Sequence, residues 1–135
     1  MTRMSWDDYF IGIATAVSAR ASCSRRQVGA VLVDKSHRVI GTGYNGAPSG
    51  APDCLHGACP RGLCDYDAIP AGSSYDDPLS SGYCVAVHAE ANAILQSGRD
   101  AAGATMYVTD DPCTGCSTLI RAAGVSRIYT PGGEW

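Results

Sequence analysis

Between Tyr44 and Tyr83 the chain runs through Gly, Pro, Ser and Asp with almost no apolar periodicity. Whatever core it builds must therefore come from the segments on either side. A structureless stretch of this length is uncommon inside a compact domain and calls for something to fix it. Before it, SWDDYFIGIATAVSARA places Trp6, Tyr9, Phe10, Ile13 and Val17 at helical spacing behind a capping-box pattern of Ser5 and Asp8. VGAVLVD and RVIGTGY follow as two β-rich runs around the turn Asp34-Lys35-Ser36-His37, the pattern of a hairpin.

After the gap the order changes. HAEANAILQSG predicts a helix closed by Gly98, ATMYVT a strand, CTGCSTLIRAAG a helix ending near Gly124, and VSRIYT a last strand. The order α-β-β-α-β-α-β implies a mixed sheet covered by helices. At 135 residues the chain holds one packed core and is too short for two, so residues 1–135 are expected to form a single domain.

Composition narrows the function. A hydrophobic share of 45% with 17% charged residues is that of a globular protein and excludes a disordered chain. The net charge of -3 supplies no general basic field. A long nucleic acid is therefore a poor partner, while local arginines remain able to hold a small anion. No apolar run approaches the ~18 residues of a membrane span. The opening MTRMSWDDYF is acidic where a signal peptide is basic and apolar, so a cytoplasmic protein is expected. In a reducing compartment the seven cysteines read as thiols or metal ligands, and their odd number argues against full pairing in disulfides.

Two fragments carry chemistry: His88-Ala89-Glu90 and Pro112-Cys113-Thr114-Gly115-Cys116, each where the chain feeds into a helix. A Cys-x-x-Cys at a helix start sets both sulfurs on one side of the first turn, where the helix dipole favours thiolate. One histidine from a neighbouring helix start completes three zinc ligands, and a catalytic site leaves the fourth position to water. Glu90, two residues beyond His88, is poorly placed to ligate the same ion but can reach that water and move its proton. His-x-Glu followed by Pro-Cys-x-x-Cys is the pattern of zinc-dependent nucleobase deaminases. Two blander readings remain. The cysteines form a redox or buried pair beside a surface histidine, or an inert zinc takes Glu90 as an awkward fourth ligand.

On these residues, together with SWDDYF, CSRRQVGAVLVD, GTGYNGAPSG, VHAEANAIL and ATMYVT, the chain resembles the cytidine/deoxycytidylate deaminase family along nearly its whole length. The QVGA and GYNGxPxG pieces resemble its deoxycytidylate branch. The resemblance implies a three-layer α-β-α fold with a mixed sheet and an active site at two helix N-termini. It implies zinc on His88, Cys113 and Cys116, and Glu90 as proton shuttle. It also implies the hydrolytic conversion of dCMP to dUMP and ammonia, a step towards thymidylate in pyrimidine nucleotide biosynthesis. Ala89 would offer its backbone to the pyrimidine, Asn45 would contact sugar or phosphate, and Arg26 would meet phosphate through its guanidinium. Tyr107 would face the substrate, unless it is a core aromatic in a strand.

Asp110 and Asp111 depart from the branch, which more often has apolar or hydroxyl residues there. A carboxylate at this point, Asp111 above all, would read an exocyclic amine of the base; otherwise the pair is an acidic helix start favoured by the dipole. The chain also ends at Trp135, soon after the last predicted strand, where relatives usually continue. The family further implies dCTP and dTTP as effectors and a homo-oligomer, often a hexamer. Alternative substrates are a 5-substituted dCMP, a nucleoside or a purine base. An inactive interaction module of the same fold is a further alternative, against which the intact ligands and Glu90 weigh. RNA editing lacks the basic tract it requires.

The gap itself contains CLHGACPRGLC. Cys54, His56, Cys59 and Cys64, with Cys23 and Cys84 outside it, offer more than the four ligands of a closed structural zinc. In some phage and microbial relatives a second zinc is held by cysteines that match Cys23 and Cys54, with Cys84 resembling a third. The fourth ligand here would be Cys59 or Cys64, with His56 a weaker choice. Free thiols around a flexible lid are the alternative.

Overall fold

The computed structural model describes residues 2–23, 25–63, 77–79 and 83–135. Helix α1 (Trp6–Ser18) starts where Ser5 Oγ accepts the Asp8 amide at 3.1 Å, the capping geometry its sequence predicts. Strands β1 (Gly29–Val33) and β2 (Val39–Tyr44) form the expected antiparallel hairpin. Its turn is held by the Asp34 carboxylate, which accepts the amides of Ser36 and Arg38 at 2.9 and 3.0 Å.

Beyond the gap come α3 (Ala89–Ser97), β3 (Thr105–Val108), α4 (Thr114–Ala122) and β4 (Arg127–Thr130). Gly98 at φ 59° and Gly124 at φ 82° sit where α3 and α4 end, the left-handed positions for which glycine is suited. The strands order as β2-β1-β3-β4-β5; only β3 and β4 are parallel. The fifth strand, β5 (Gly133–Glu134), turns back antiparallel on β4 and is not signalled in the sequence, being two residues long.

Every residue of β1 is buried, as expected of a strand covered on both faces. Val31, Val33 and Tyr107 pack with Phe10 and Ala14 under α1. Ala30, Leu32, Met106, Val108 and Ile128 face the other way, onto Ala89, Ala93, Cys116 and Ile120 of α3 and α4. The result is the expected three-layer α-β-α arrangement around a mixed sheet.

The apolar-poor stretch is not structureless in its first half. A 3₁₀ turn (Cys54–His56) is capped by Asp53, whose carboxylate accepts the His56 amide at 3.1 Å, and a short helix α2 (Pro60–Leu63) follows. Cys64, a proposed zinc ligand, lies outside the described residues. Among the described residues no helix is long and apolar enough to cross a membrane.

Candidate active site

The site begins with two glycines on β2. A Cβ at Gly43 would stand 2.2 Å from the Ala89 carbonyl oxygen and 2.4 Å from the Ala93 nitrogen, and one at Gly41 would lie 2.6 Å from the Ala93 oxygen. Only glycine lets the α3 backbone lie directly on the strand here. A second clamp follows. Gly46 and Val87 exchange backbone hydrogen bonds at 3.1 and 2.8 Å, and the Asn92 carboxamide donates to the Tyr44 carbonyl at 2.9 Å. Together these contacts fix the first turn of α3 against the end of β2.

His88 is the N-cap residue of α3, and its side chain makes no capping bond. The ring turns instead towards α4, with Nδ1 3.2 Å from Cys116 Sγ and 3.6 Å from Cys113 Sγ. Cys113 is in turn the N-cap of α4; its sulfur accepts the Cys116 amide at 3.4 Å. Both sulfurs thus lie on one side of a first helical turn, as the Cys-x-x-Cys spacing predicts. Among the described residues these three form the one group of potential metal-ligating atoms that all lie within 4.8 Å of one another.

The donor set fits zinc. Tetrahedral bonds of ~2.0–2.1 Å to nitrogen and ~2.3 Å to sulfur would separate nitrogen from sulfur by about 3.6 Å. The two His88 distances fall within a few tenths of that value. Glu90, in the first turn of α3, is only 4% exposed. Burial pushes the Cys116 thiol far above its usual pKa, and the neighbouring Glu90 and Cys113 push it further. Two thiols and a carboxylate crowded out of water make a grouping that a divalent cation relieves, converting thiol to thiolate.

The remaining predicted residues fall into separate places. Ala89 opens α3, fully buried against the sheet. Asn45 is 8% exposed, and both ends of its carboxamide bind the loop before β1. Its Oδ1 accepts the Val28 amide and its Nδ2 donates to the Arg26 carbonyl, each at 2.8 Å. Asn45 therefore shapes the backbone that carries Arg26. The Arg26 side chain is exposed and forms an ion pair with Asp110, Nε lying 3.1 Å from Oδ2. Asp111 is exposed in the β3–α4 loop, and its amide donates to Asp110 Oδ1 at 3.0 Å.

Tyr107 is a core aromatic. It packs between Phe10 and Tyr129 on the α1 face of the sheet, opposite the face that carries α3 and α4. The cause is strand alternation: Met106 and Val108 take the face of the metal ligands, so Tyr107 takes the other. Its hydroxyl donates to Asp7 Oδ1 at 2.7 Å, and burial followed by that carboxylate raises its pKa to about 12. Asp7 also takes the Arg127 guanidinium at 2.8 and 2.9 Å, a bidentate pair 120 residues apart in sequence that no local pattern announces. Arg127 further donates to Glu134 across β4 and β5.

Among the described residues no two cysteines are joined in a disulfide. Away from the His88 cluster, burial raises the Cys84 pKa to about 11, with the neighbouring Cys59 and Cys23 thiols adding to the rise. Cys59 is buried and its thiol lies 3.7 Å from the Tyr83 carbonyl, while the Cys23 sulfur accepts the Arg25 amide at 3.4 Å. His56 pairs with Asp53 at 2.7 Å and is largely exposed.

Comparison with known proteins agrees with this geometry. The model of the cytidine and deoxycytidylate deaminase zinc-binding region matches residues 4–131. The chain is 53% identical to the deoxycytidylate deaminase of Mycobacterium phage D29 over 97% of its own length and 98% of that protein's. It is 41% identical to the deoxycytidylate deaminase of Schizosaccharomyces pombe over 93% of its length, but spans only 37% of that longer protein. Among solved structures, the dCMP deaminase of cyanophage S-TIM5 in complex with dCMP and dUMP superposes with a TM-score of 0.68. It is 26% identical, with 96% of this chain and 83% of that one covered. A histidine and two cysteines at two helix starts, a buried glutamate beside them, and a match that runs through both motifs have one reading: the chain belongs to the cytidine and deoxycytidylate deaminase family.

Proposed function

We propose that this protein is a zinc-dependent dCMP deaminase, converting dCMP and water to dUMP and ammonia within a single domain spanning residues 1–135. The observation that carries the reading is the cluster of His88, Cys113 and Cys116 with buried Glu90 at its edge. The likeness to phage D29 deoxycytidylate deaminase along almost the full length of both chains supports the choice of substrate.

When bound by His88, Cys113 and Cys116, zinc supplies a water of lowered pKa, a nucleophile at neutral pH. Glu90 would accept a proton at its carboxylate from the water attacking C4 of the cytosine ring. The carboxylate would pass that proton to ring N3, then take the second proton from the hydroxyl newly formed at C4 and deliver it to the amino group leaving C4 as ammonia. Its burial suits the task, because a carboxylate shielded from bulk water keeps its proton for the substrate. The Ala89 backbone, on the first turn of α3, orients the base. Arg26 faces the 5′-phosphate with a guanidinium matched to phosphate oxygens, and Asn45 sets the backbone that presents it. The packing of Tyr107 between Phe10 and Tyr129 supports a structural role for it, away from the substrate.

Cys23, Cys54 and Cys84 would hold a second, structural zinc that staples the long loop to the segment leading into His88, with Cys59, a neighbour of Cys84, or Cys64 as the fourth ligand. His56 is the weaker choice, since Asp53 already engages it. The protein acts in the cytoplasm as a homo-oligomer, a hexamer by resemblance, with dCTP and dTTP as effectors.

Purified protein assayed for ammonia against dCMP, CMP, deoxycytidine, 5-methyl-dCMP and guanine tests the reading. Turnover is expected to be fastest on dCMP. Glu90→Gln should keep its zinc and release no ammonia; equal turnover by this variant would remove Glu90 from its role. Stoichiometric zinc with no turnover on any of these substrates would leave an inactive module of the same fold.

A further inference from the structure

We propose that Asp110 is a positioning residue that braces Arg26 for the substrate phosphate, a role resting on the phosphate contact assigned to Arg26 above. Asp110 follows β3 and lies three residues before the metal ligand Cys113. Its loop is pinned to the start of β1. The Gly29 amide donates to Thr109 Oγ1 at 3.1 Å, and the Thr109 amide donates back to the Gly29 carbonyl at 3.0 Å. From that anchored loop one carboxylate oxygen forms an ion pair with Arg26, 3.1 Å from Nε, and the other accepts the Asp111 amide at 3.0 Å.

The geometry of the pair decides its purpose. An arginine held through both terminal nitrogens is spent on its partner, whereas one held side-on through Nε keeps its forward fork available. Asp110 contacts Nε, so Nη1 and Nη2 remain for two oxygens of a phosphate monoester. The Arg26 backbone is fixed independently by the Asn45 carboxamide. Main chain and guanidinium are thus each held once, from β2 and from the metal-ligand loop. An exposed arginine otherwise samples many rotamers, and the brace lowers the cost of ordering it when the nucleotide binds. This gives the acidic residues before Pro112 a function other than reading the base. It also links phosphate recognition to the same loop that carries Cys113.

The carboxylate has an opposing effect, because its negative charge repels the phosphate. Asp110→Asn separates the two contributions by keeping an oxygen for Nε while removing the charge. Steady-state kinetics on dCMP, with dUMP inhibition as a second readout, are measured for Arg26→Ala, Asp110→Ala, Asp110→Asn and the Arg26→Ala/Asp110→Ala pair, all at full zinc. Asp110→Ala is expected to raise KM for dCMP and Ki for dUMP by about threefold to fivefold, the upper range open to an exposed ion pair, with kcat within twofold. Asp110→Asn should return both constants to the parent value or below it, and Asp110→Ala should add nothing in the Arg26→Ala background. If Arg26→Ala raises KM but Asp110→Ala leaves it unchanged or lowers it, the brace is wrong and the phosphate contact stands. If Arg26→Ala itself leaves KM unchanged, the phosphate contact is wrong, and the brace falls with it. An equal rise in KM from Asp110→Ala with and without Arg26 would also overturn the proposal.

Discussion

Gly43 supports the catalytic geometry without touching any reacting atom, and Gly43→Ala shows how much. The added Cβ would meet the Ala89 oxygen at 2.2 Å, the Ala93 nitrogen at 2.4 Å and the Asn92 Cβ at 2.9 Å. Two of these are backbone atoms of α3, so no rotamer change relieves the clash. To reach an ordinary contact of about 3.4 Å, the first turn of α3 must move away from β2 by about 1 Å. Overpacking of this kind costs typically 1–3 kcal/mol, and rigid backbone on the far side puts this case at about 2–3 kcal/mol. For a domain of this size that is a fall of about 8–12 °C in Tm.

The same displacement carries His88 and Glu90 away from Cys113 and Cys116. A misplacement of ~1 Å at a reacting centre costs about 100-fold in rate, so kcat should fall further than stability alone would suggest. The assay is thermal unfolding alongside zinc content and ammonia release at 25 °C, where the variant remains folded. Gly12→Ala is the control, since a Cβ there meets nothing within 4 Å on an exposed turn of α1. It should be neutral or stabilising by up to about 1 kcal/mol. A Gly43→Ala protein within 0.5 kcal/mol of the parent, by the same order-of-magnitude scale, and with unchanged kcat would refute the close-approach argument.

Removal of zinc by a chelator at neutral pH should abolish ammonia release, and added Zn²⁺ should restore it; Cys113→Ser should lose both metal and activity. Metal analysis of the intact protein should give close to two zincs per chain, and Cys54→Ser or Cys84→Ser should reduce this to one and lower Tm while His88, Cys113 and Cys116 stay loaded. One zinc in the parent protein removes the second site. The Arg127 guanidinium, followed by the Tyr107 hydroxyl, holds the Asp7 carboxyl down at about 2 from its ordinary 3.8. Asp7 thus contributes stability that is fully present above pH 3.8 and is lost as pH falls towards 2, because the unfolded chain binds the proton first. Unfolding curves between pH 2 and 5 should therefore be less steep in pH for Asp7→Asn, about in that window.

The elements and the metal ligands were legible because each is encoded locally. Apolar spacing marks α1, the Gly98 and Gly124 stops mark the ends of α3 and α4, and the Cys113–Cys116 interval is itself one helical turn. What escaped was set through space. The role of Gly41 and Gly43 depends on which helix crosses β2, and the Asp7–Arg127 pair depends on α1 and β4 meeting on one face of the sheet. Strand alternation told that Tyr107 opposes Met106, but with both faces of the sheet covered it could not tell which face holds the metal. In the long loop, the cap residue Asp53 and the left-handed Gly57 were available signals of the turn at Cys54–His56. They stand in a stretch without apolar periodicity, so the turn is encoded in its capping residues alone.

Asp110 and Asp111 show why a loop resists such reading most. They are identical neighbours, and in a strand or helix their period would have assigned them opposite or successive faces. In the β3–α4 loop no period applies. One carboxylate takes both Arg26 and the following amide, while the other stands exposed. The difference arises from Thr109, whose paired hydrogen bonds with Gly29 stop β3 at a fixed point and aim the next residue at the loop before β1. A substitution at Thr109 should therefore act on the phosphate through Asp110 and Arg26 in turn. Thr109→Val, which keeps the backbone bond to the Gly29 carbonyl but removes the hydroxyl that accepts the Gly29 amide, is expected to raise KM for dCMP less than Asp110→Ala does. A larger effect would place the control of Arg26 in the β1–β3 junction instead of in the carboxylate.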